Sequence, residues 1–206
     1  MKSCVIFTGG KPEPRIPDGL DLTDAFVIAA DRGYKNCRKL GILPDLAIGD
    51  FDSLGYAPNE CEQLTFPKKK DDTDLMLAVK EALERGYNDI TITGAMGGRF
   101  DHLFANVQVL AYIREQGAWE RIFTCYEQIM LVTPGSYRIP KKEKYSLSLF
   151  AYSAEVKGLT IEGTEYPLED GIVTSSFPIG ISNVIIEDDA LISFDEGLLL
   201  IVQSRI

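Results

Sequence analysis

With 206 residues, 45% of them apolar and 25% charged, the chain can bury a core of its own and lacks the composition of a disordered segment. A formal charge of −10 excludes a general affinity for nucleic acid or for an anionic membrane, because both need a basic footprint. An anionic substrate would therefore need a local cationic site or a metal ion.

From the N-terminus onward, short apolar runs are expected as strands at 4–7, 25–29, 46–48, 64–66, 90–93 and 122–125. The first run is too short for a signal peptide and is interrupted by Gly9, Gly10, Lys11 and Pro12. No later run approaches the roughly 20 apolar residues of a membrane helix, so a cytoplasmic location is expected. Residues 73–85 place Leu75, Val79, Ala82 and Leu83 at helical spacing, with Gly86 as a stop signal. A second helix is expected from Asp101 to about residue 115, with Gly117 beyond its end. Strand and helix alternating in this way predict an α/β fold with a mostly parallel, Rossmann-like sheet.

Beyond residue 127 the helical spacing stops. Short runs at 129–133, 145–150, 172–175, 184–186 and 198–202 are separated by Pro, Gly, Asn and Asp, and Tyr145-Ser-Leu-Ser-Leu alternates as a half-buried antiparallel strand does. Two domains are expected, 1–127 and an all-β 128–206. The four cysteines, Cys4, Cys37, Cys61 and Cys125, form no C-x-x-C pair and are expected as reduced thiols.

Ligands of open α/β sheets sit beyond the carboxyl ends of the strands, and three such ends carry chemistry. Gly49-Asp-Phe-Asp-Ser53 follows an apolar run. Continued extension would aim Asp50 and Asp52 to one side as hard oxygen ligands for Mg²⁺, although the same residues also make ordinary turns. Lys68-Lys-Lys-Asp-Asp-Thr-Asp74 opens the first helix. Its carboxylates suit a helix start, and its ammonium groups add an anion site to which Asp71 or Asp74 could bring a metal. Thr93-Gly-Ala-Met-Gly-Gly-Arg-Phe-Asp-His102 lets the backbone approach a ligand. Arg99 can fork onto phosphate, and Asp101 can cap the helix or accept a substrate hydrogen bond. His102 is expected to be structural. Together the three ends point to nucleotide-dependent phosphoryl chemistry on a metal.

The ordered set Ala30-Asp-Arg-Gly33, Leu43-Pro-Asp-Leu-Ala-Ile-Gly-Asp-Phe-Asp-Ser53, Lys70-Asp-Asp-Thr-Asp74, Gly97-Gly-Arg-Phe-Asp-His102 and Gly180-Ile-Ser-Asn183 closely resembles the thiamine pyrophosphokinase family. The resemblance implies an α/β catalytic domain binding ATP and Mg²⁺, a β-sandwich binding thiamine, and a homodimer with shared active sites. It implies Asp50, Asp52 and Asp74 as metal and phosphate-handling carboxylates, with Asp71 in support. Lys70 and Arg99 become phosphate contacts, Asp31 and Gly33 nucleotide-side residues, and Asp101, Ser182 and Asn183 thiamine-side residues. Tyr166 stands where the family usually carries tryptophan. Two rival readings are a metal-dependent nucleotide-sugar transferase, which leaves Gly180–Asn183 unexplained, and a non-catalytic acidic-loop binding protein, which leaves Lys68–Lys70 and Arg99 without a purpose.

Overall fold

The computed structural model describes residues 1–52, 55, 56, 58–67 and 71–206. Two compact units, Met1–Cys125 and Tyr126–Ile206, divide the chain. In the first unit, the strands among the described residues are β1 (Ser3–Phe7), β2 (Phe26–Ala30), β3 (Leu46–Gly49), β4 (Glu62–Thr65), β5 (Asp89–Thr93) and β6 (Trp119–Phe123). They alternate with α1 (Gly33–Lys39), α2 (Asp74–Glu84) and α3 (Phe100–Glu115). All pairings are parallel, in the order β4-β3-β2-β1-β5-β6. The chain thus steps outward from β1 to β4 and restarts on the other side of β1 at β5. That reversal opens a crevice beyond the carboxyl ends of β1 and β5.

Parallel strands covered on both faces are apolar throughout. Val5 and Phe7 of β1, Val27 and Ala29 of β2 and Ala47 of β3 cluster with Tyr34 and Cys37 of α1. The alternate residues Cys4, Ile6, Ile28 and Ile48 are equally buried and point the other way. The second helix packs on β1, β2 and β3 with Leu75, Ala78, Val79 and Ala82 buried along it. Its start is capped by Thr73, whose Oγ1 accepts the Met76 N–H at 3.1 Å. Its end is closed by Gly86 at φ 81°, with Gly86 N–H donating to Leu83 O and Tyr87 N–H to Ala82 O. The third helix ends in the same way at Gly117.

The second unit holds β7 (Glu127–Val132), β8 (Gly135–Pro140), β9 (Tyr145–Ala151), β10 (Glu155–Glu162), β11 (Leu168–Thr174), β12 (Asp189–Phe194) and β13 (Leu199–Arg205). Its antiparallel arrays run β7-β13-β9 and β11-β10-β12-β8. Val132, Leu147, Leu149, Leu199 and Ile201 from the first meet Val156, Leu159, Ile161, Ala190, Ile192 and Phe194 from the second in one core, which makes the unit a sandwich. Residues 184–186, expected as a strand, contribute only an isolated bridge between Thr164 and Ile185.

Candidate active site

Three loops leave the sheet at the topological reversal. Thr8, Gly9 and Gly10 follow β1, Asp31 and Arg32 follow β2, and Ala95, Gly97, Gly98 and Arg99 follow β5. With residues 72–75 at the start of α2 and His102, Ala105 and Asn106 on α3, they line a cavity of about 470 Å³. That volume is in the range of small-molecule sites. The N-terminal ends of α2 and α3 contribute to its wall, where the helix dipole favours an anion.

The walls are tied by one backbone pair and by side chains that hold backbone carbonyls. Thr8 N–H donates to Thr93 O at 2.9 Å, and Thr8 Oγ1 donates to Gly94 O at 2.6 Å. Asn36 Nδ2 holds Thr8 O at 2.8 Å, and Asn106 Nδ2 holds Ala95 O at 2.8 Å. Gly10 is required by this approach, since a Cβ there would lie 2.3 Å from Gly94 O. Asp31, at φ 46°, sends its N–H to Ile48 O at 2.7 Å and so joins the ends of β2 and β3.

Of the residues singled out in the sequence, Asp31, Asp74 and Arg99 line the cavity. Gly33, Asp50, Asp52, Asp71 and Asp101 are not among its described lining residues. Gly33 is buried, and a Cβ on it would meet Phe7 O at 1.9 Å, so the glycine lets α1 press onto the end of β1. The expected extension through Asp50 and Asp52 does not occur. The strand stops at Gly49, Phe51 turns to φ 56°, and Asp52 N–H donates to Asp50 Oδ1 at 3.0 Å. The carboxylates are therefore related by a turn and not by strand alternation. Lys70, with Lys68, Lys69 and Ser53, lies outside the described residues.

Arg99 occupies the N-cap position of α3, which the sequence suggested for Asp101. Its guanidinium grips the Asp101 carboxylate, Nε to Oδ1 at 3.1 Å and Nη2 to Oδ2 more closely, while Asp101 Oδ1 also accepts the His102 N–H at 2.9 Å. The Arg99 hydrogen bond holds the Asp101 carboxyl below its ordinary value, and Asp101 raises Arg99 in return.

In the second unit Ser182 is exposed at φ 61°, with its N–H on Ser148 Oγ at 3.0 Å. Asn183 is buried and its carboxamide is engaged with the backbone of Tyr166, a residue that is 66% exposed.

Residues 22–119 match the family model "Thiamin pyrophosphokinase, catalytic domain", and residues 136–199 match "Thiamin pyrophosphokinase, vitamin B1 binding domain". Thiamine pyrophosphokinase of Bacillus subtilis (strain 168) is 34% identical over 213 residues, covering 99% of each chain. The chain belongs to the thiamine pyrophosphokinase family. A crystal structure of the Bacillus subtilis enzyme superposes with a TM-score of 0.86 at 31% identity, covering 98% of this chain and 99% of the other. A thiamin pyrophosphokinase family protein from Enterococcus faecalis gives 0.84 at 33% identity, with 99% of each chain covered. The cavity's β2 and β5 loops and helix starts lie inside the catalytic match, and Tyr166, Ser182 and Asn183 lie inside the vitamin B1 match.

Thr8 and Asn106 lie outside the sequence motifs, Gly9 and Gly10 enter only as an interruption of the first apolar run, and Arg32, Asp72 and His102 carry no binding role in the sequence, yet all of them line the cavity. The signal for Thr8, Gly9 and Gly10 is the glycine pair that follows the first strand after a single residue. Asp72 accepts Lys80 Nζ at 2.7 Å, and this hydrogen bond raises the Lys80 pKa. Among the described residues no group of three or more His, Cys, Asp or Glu side chains is placed to hold a metal ion, and no helix is long and apolar enough to cross a membrane.

Proposed function

We propose that this chain transfers a pyrophosphoryl group from ATP to the hydroxyl of thiamine, giving thiamine diphosphate and AMP, in the cytoplasm and as a homodimer. The observation that carries the reading is the cavity at the β1/β5 reversal. Backbone-lined glycine loops, two helix N-termini and Arg99 all meet there, an arrangement suited to a polyphosphate.

Mg²⁺ is the proposed cofactor. The donor set fits that ion in kind: Asp50, Asp52 and Asp74 offer hard oxygens, and Mg²⁺ commonly takes one or two carboxylates and fills its shell with water and substrate phosphates. A dedicated cage of three carboxylates is thus not required. Bound there, the ion would supply positive charge to offset that of the phosphates. Asp50, Asp52 and Asp74 would hold it, with Asp71 in support. Arg99 and Lys70 would grip phosphate oxygens, and the N-terminus of α2 would add its dipole. Because Arg99 rests on Asp101, phosphate contact by Arg99 exchanges one charge-assisted pair for another and costs little. Asp31 and the backbone made room for by Gly33 would border the nucleotide. Thiamine is cationic, so Asp101 and the exposed face carrying Tyr166 and Ser182 suit it better than the phosphate end does. In the proposed dimer these β-unit residues act on the partner's catalytic unit.

Incubating the chain with ATP, Mg²⁺ and thiamine tests the reading. Thiamine-dependent AMP formation is expected. Cleavage of a nucleotide sugar, or Ca²⁺ binding without turnover, would move the protein to another class.

A further inference from the structure

We propose that Asn183 is a positioning residue that presents the Tyr166 ring and does not itself touch substrate; this deepens, and rests on, the thiamine reading above. Its carboxamide pairs with both polar groups of one peptide residue. Oδ1 accepts the Tyr166 N–H at 3.1 Å, and Nδ2 donates to Tyr166 O at 2.7 Å. Oδ1 takes a second bond from Val184 N–H at 2.8 Å, and Nδ2 a second from its reach to Thr164 Oγ1 at 3.2 Å. Thr164 Oγ1 in turn donates to Tyr166 O at 3.2 Å. Two donors and two acceptors therefore surround the amide, which satisfies it completely and fixes which end is nitrogen.

Asn183 is anchored from behind. Its N–H donates to Leu147 O at 2.9 Å and its C=O accepts from Leu147 N–H at 2.8 Å, and Leu147 belongs to the sandwich core. The chain of contacts runs from core strand to amide to the Tyr166 backbone, and ends at an exposed aromatic residue. A large aromatic left in solvent on a backbone pinned on both sides needs no further backbone ordering when a flat, cationic ring packs on it. A group already holding four hydrogen bonds at 9% exposure has none left to offer a ligand.

Amide exchange on the unaltered chain reads the pairing without substrate. Tyr166 and Val184 amides should be strongly protected, and a Tyr166 amide exchanging as fast as an open loop overturns the proposal. Kinetics read its consequence. Asn183→Ala should raise the thiamine KM roughly tenfold while the ATP KM stays put. Thr164→Val, which keeps side-chain shape, should move it the same way by less and decides the matter if Asn183→Ala does not fold. Tyr166→Ala should raise the same KM, and adding Asn183→Ala to it should change nothing more. Additive increments would mean that Asn183 meets thiamine directly. An unaltered chain that forms no AMP with thiamine sinks the functional reading alone, while amide exchange still decides the pairing.

Discussion

A methyl group on Gly33 would stand 1.9 Å from Phe7 O, a distance that a fixed strand cannot tolerate. Gly33→Ala should therefore destabilise the chain by roughly 1–3 kcal/mol, measured by urea unfolding, as overpacked sites do. An unchanged midpoint would mean that α1 is free to shift off β1. Asp52 makes the opposite kind of test, because it is exposed and its loss should spare the fold. Asp52→Asn should keep its unfolding midpoint and lose most turnover, since an amide is a poorer Mg²⁺ ligand and carries no charge. Near-normal turnover at saturating Mg²⁺ would remove Asp52 from the mechanism. The cysteines separate by environment: Cys4 and Cys37 are fully buried and burial pushes their thiols far up, whereas Cys61 is only partly covered. Brief maleimide treatment of the native chain, followed by peptide mass mapping, should label Cys61 first.

At the scale of elements, α2 and α3 were legible because their apolar spacing is long and their stop glycines close real backbone caps. The helix α1 was not, since seven residues carrying only Tyr34 and Cys37 as apolar markers give no period to count. Strand β10 hides its alternation behind Gly158, at φ 67° next to a register shift against β11. The same limit applies to the site. Strand ends could be recognised singly, but which ends meet depends on the strand order, and that depends on pairings remote in sequence. Thr73→Ala should cost about 1 kcal/mol by loss of the α2 cap. A larger loss is expected between α3 and β6. Arg114 Nη2 meets the wholly buried Glu120 carboxylate at 2.7 Å, and the guanidinium lies 4.6 Å from the Trp119 ring centroid. Glu120→Ala should cost about 3 kcal/mol or more in chemical denaturation, because it strands a largely buried guanidinium. A neutral result would mean that water reaches Arg114 freely.

For the molecule as a whole, a net charge of −10 has to be reconciled with a polyphosphate substrate. At the cavity, Arg99 and the N-terminal ends of α2 and α3 supply a local positive potential that the molecule as a whole lacks. The proposed division of labour, phosphate handled by one chain and thiamine presented by its partner, predicts complementation. Chains carrying only Asp52→Asn, mixed with chains carrying only Asn183→Ala and assayed at low thiamine, should recover up to about a quarter of normal activity, because half the dimers are mixed and each has one intact site. Confirmed mixed dimers without recovery would put both residues in the same chain's site. In the proposed reaction two phosphoryl groups move as a unit, and ATP labelled in its β-phosphoryl group reads that transfer directly. The label should leave the nucleotide pool and appear in thiamine diphosphate, one for each unlabelled AMP formed. Label retained in ADP beside thiamine monophosphate, or released without thiamine, would contradict it.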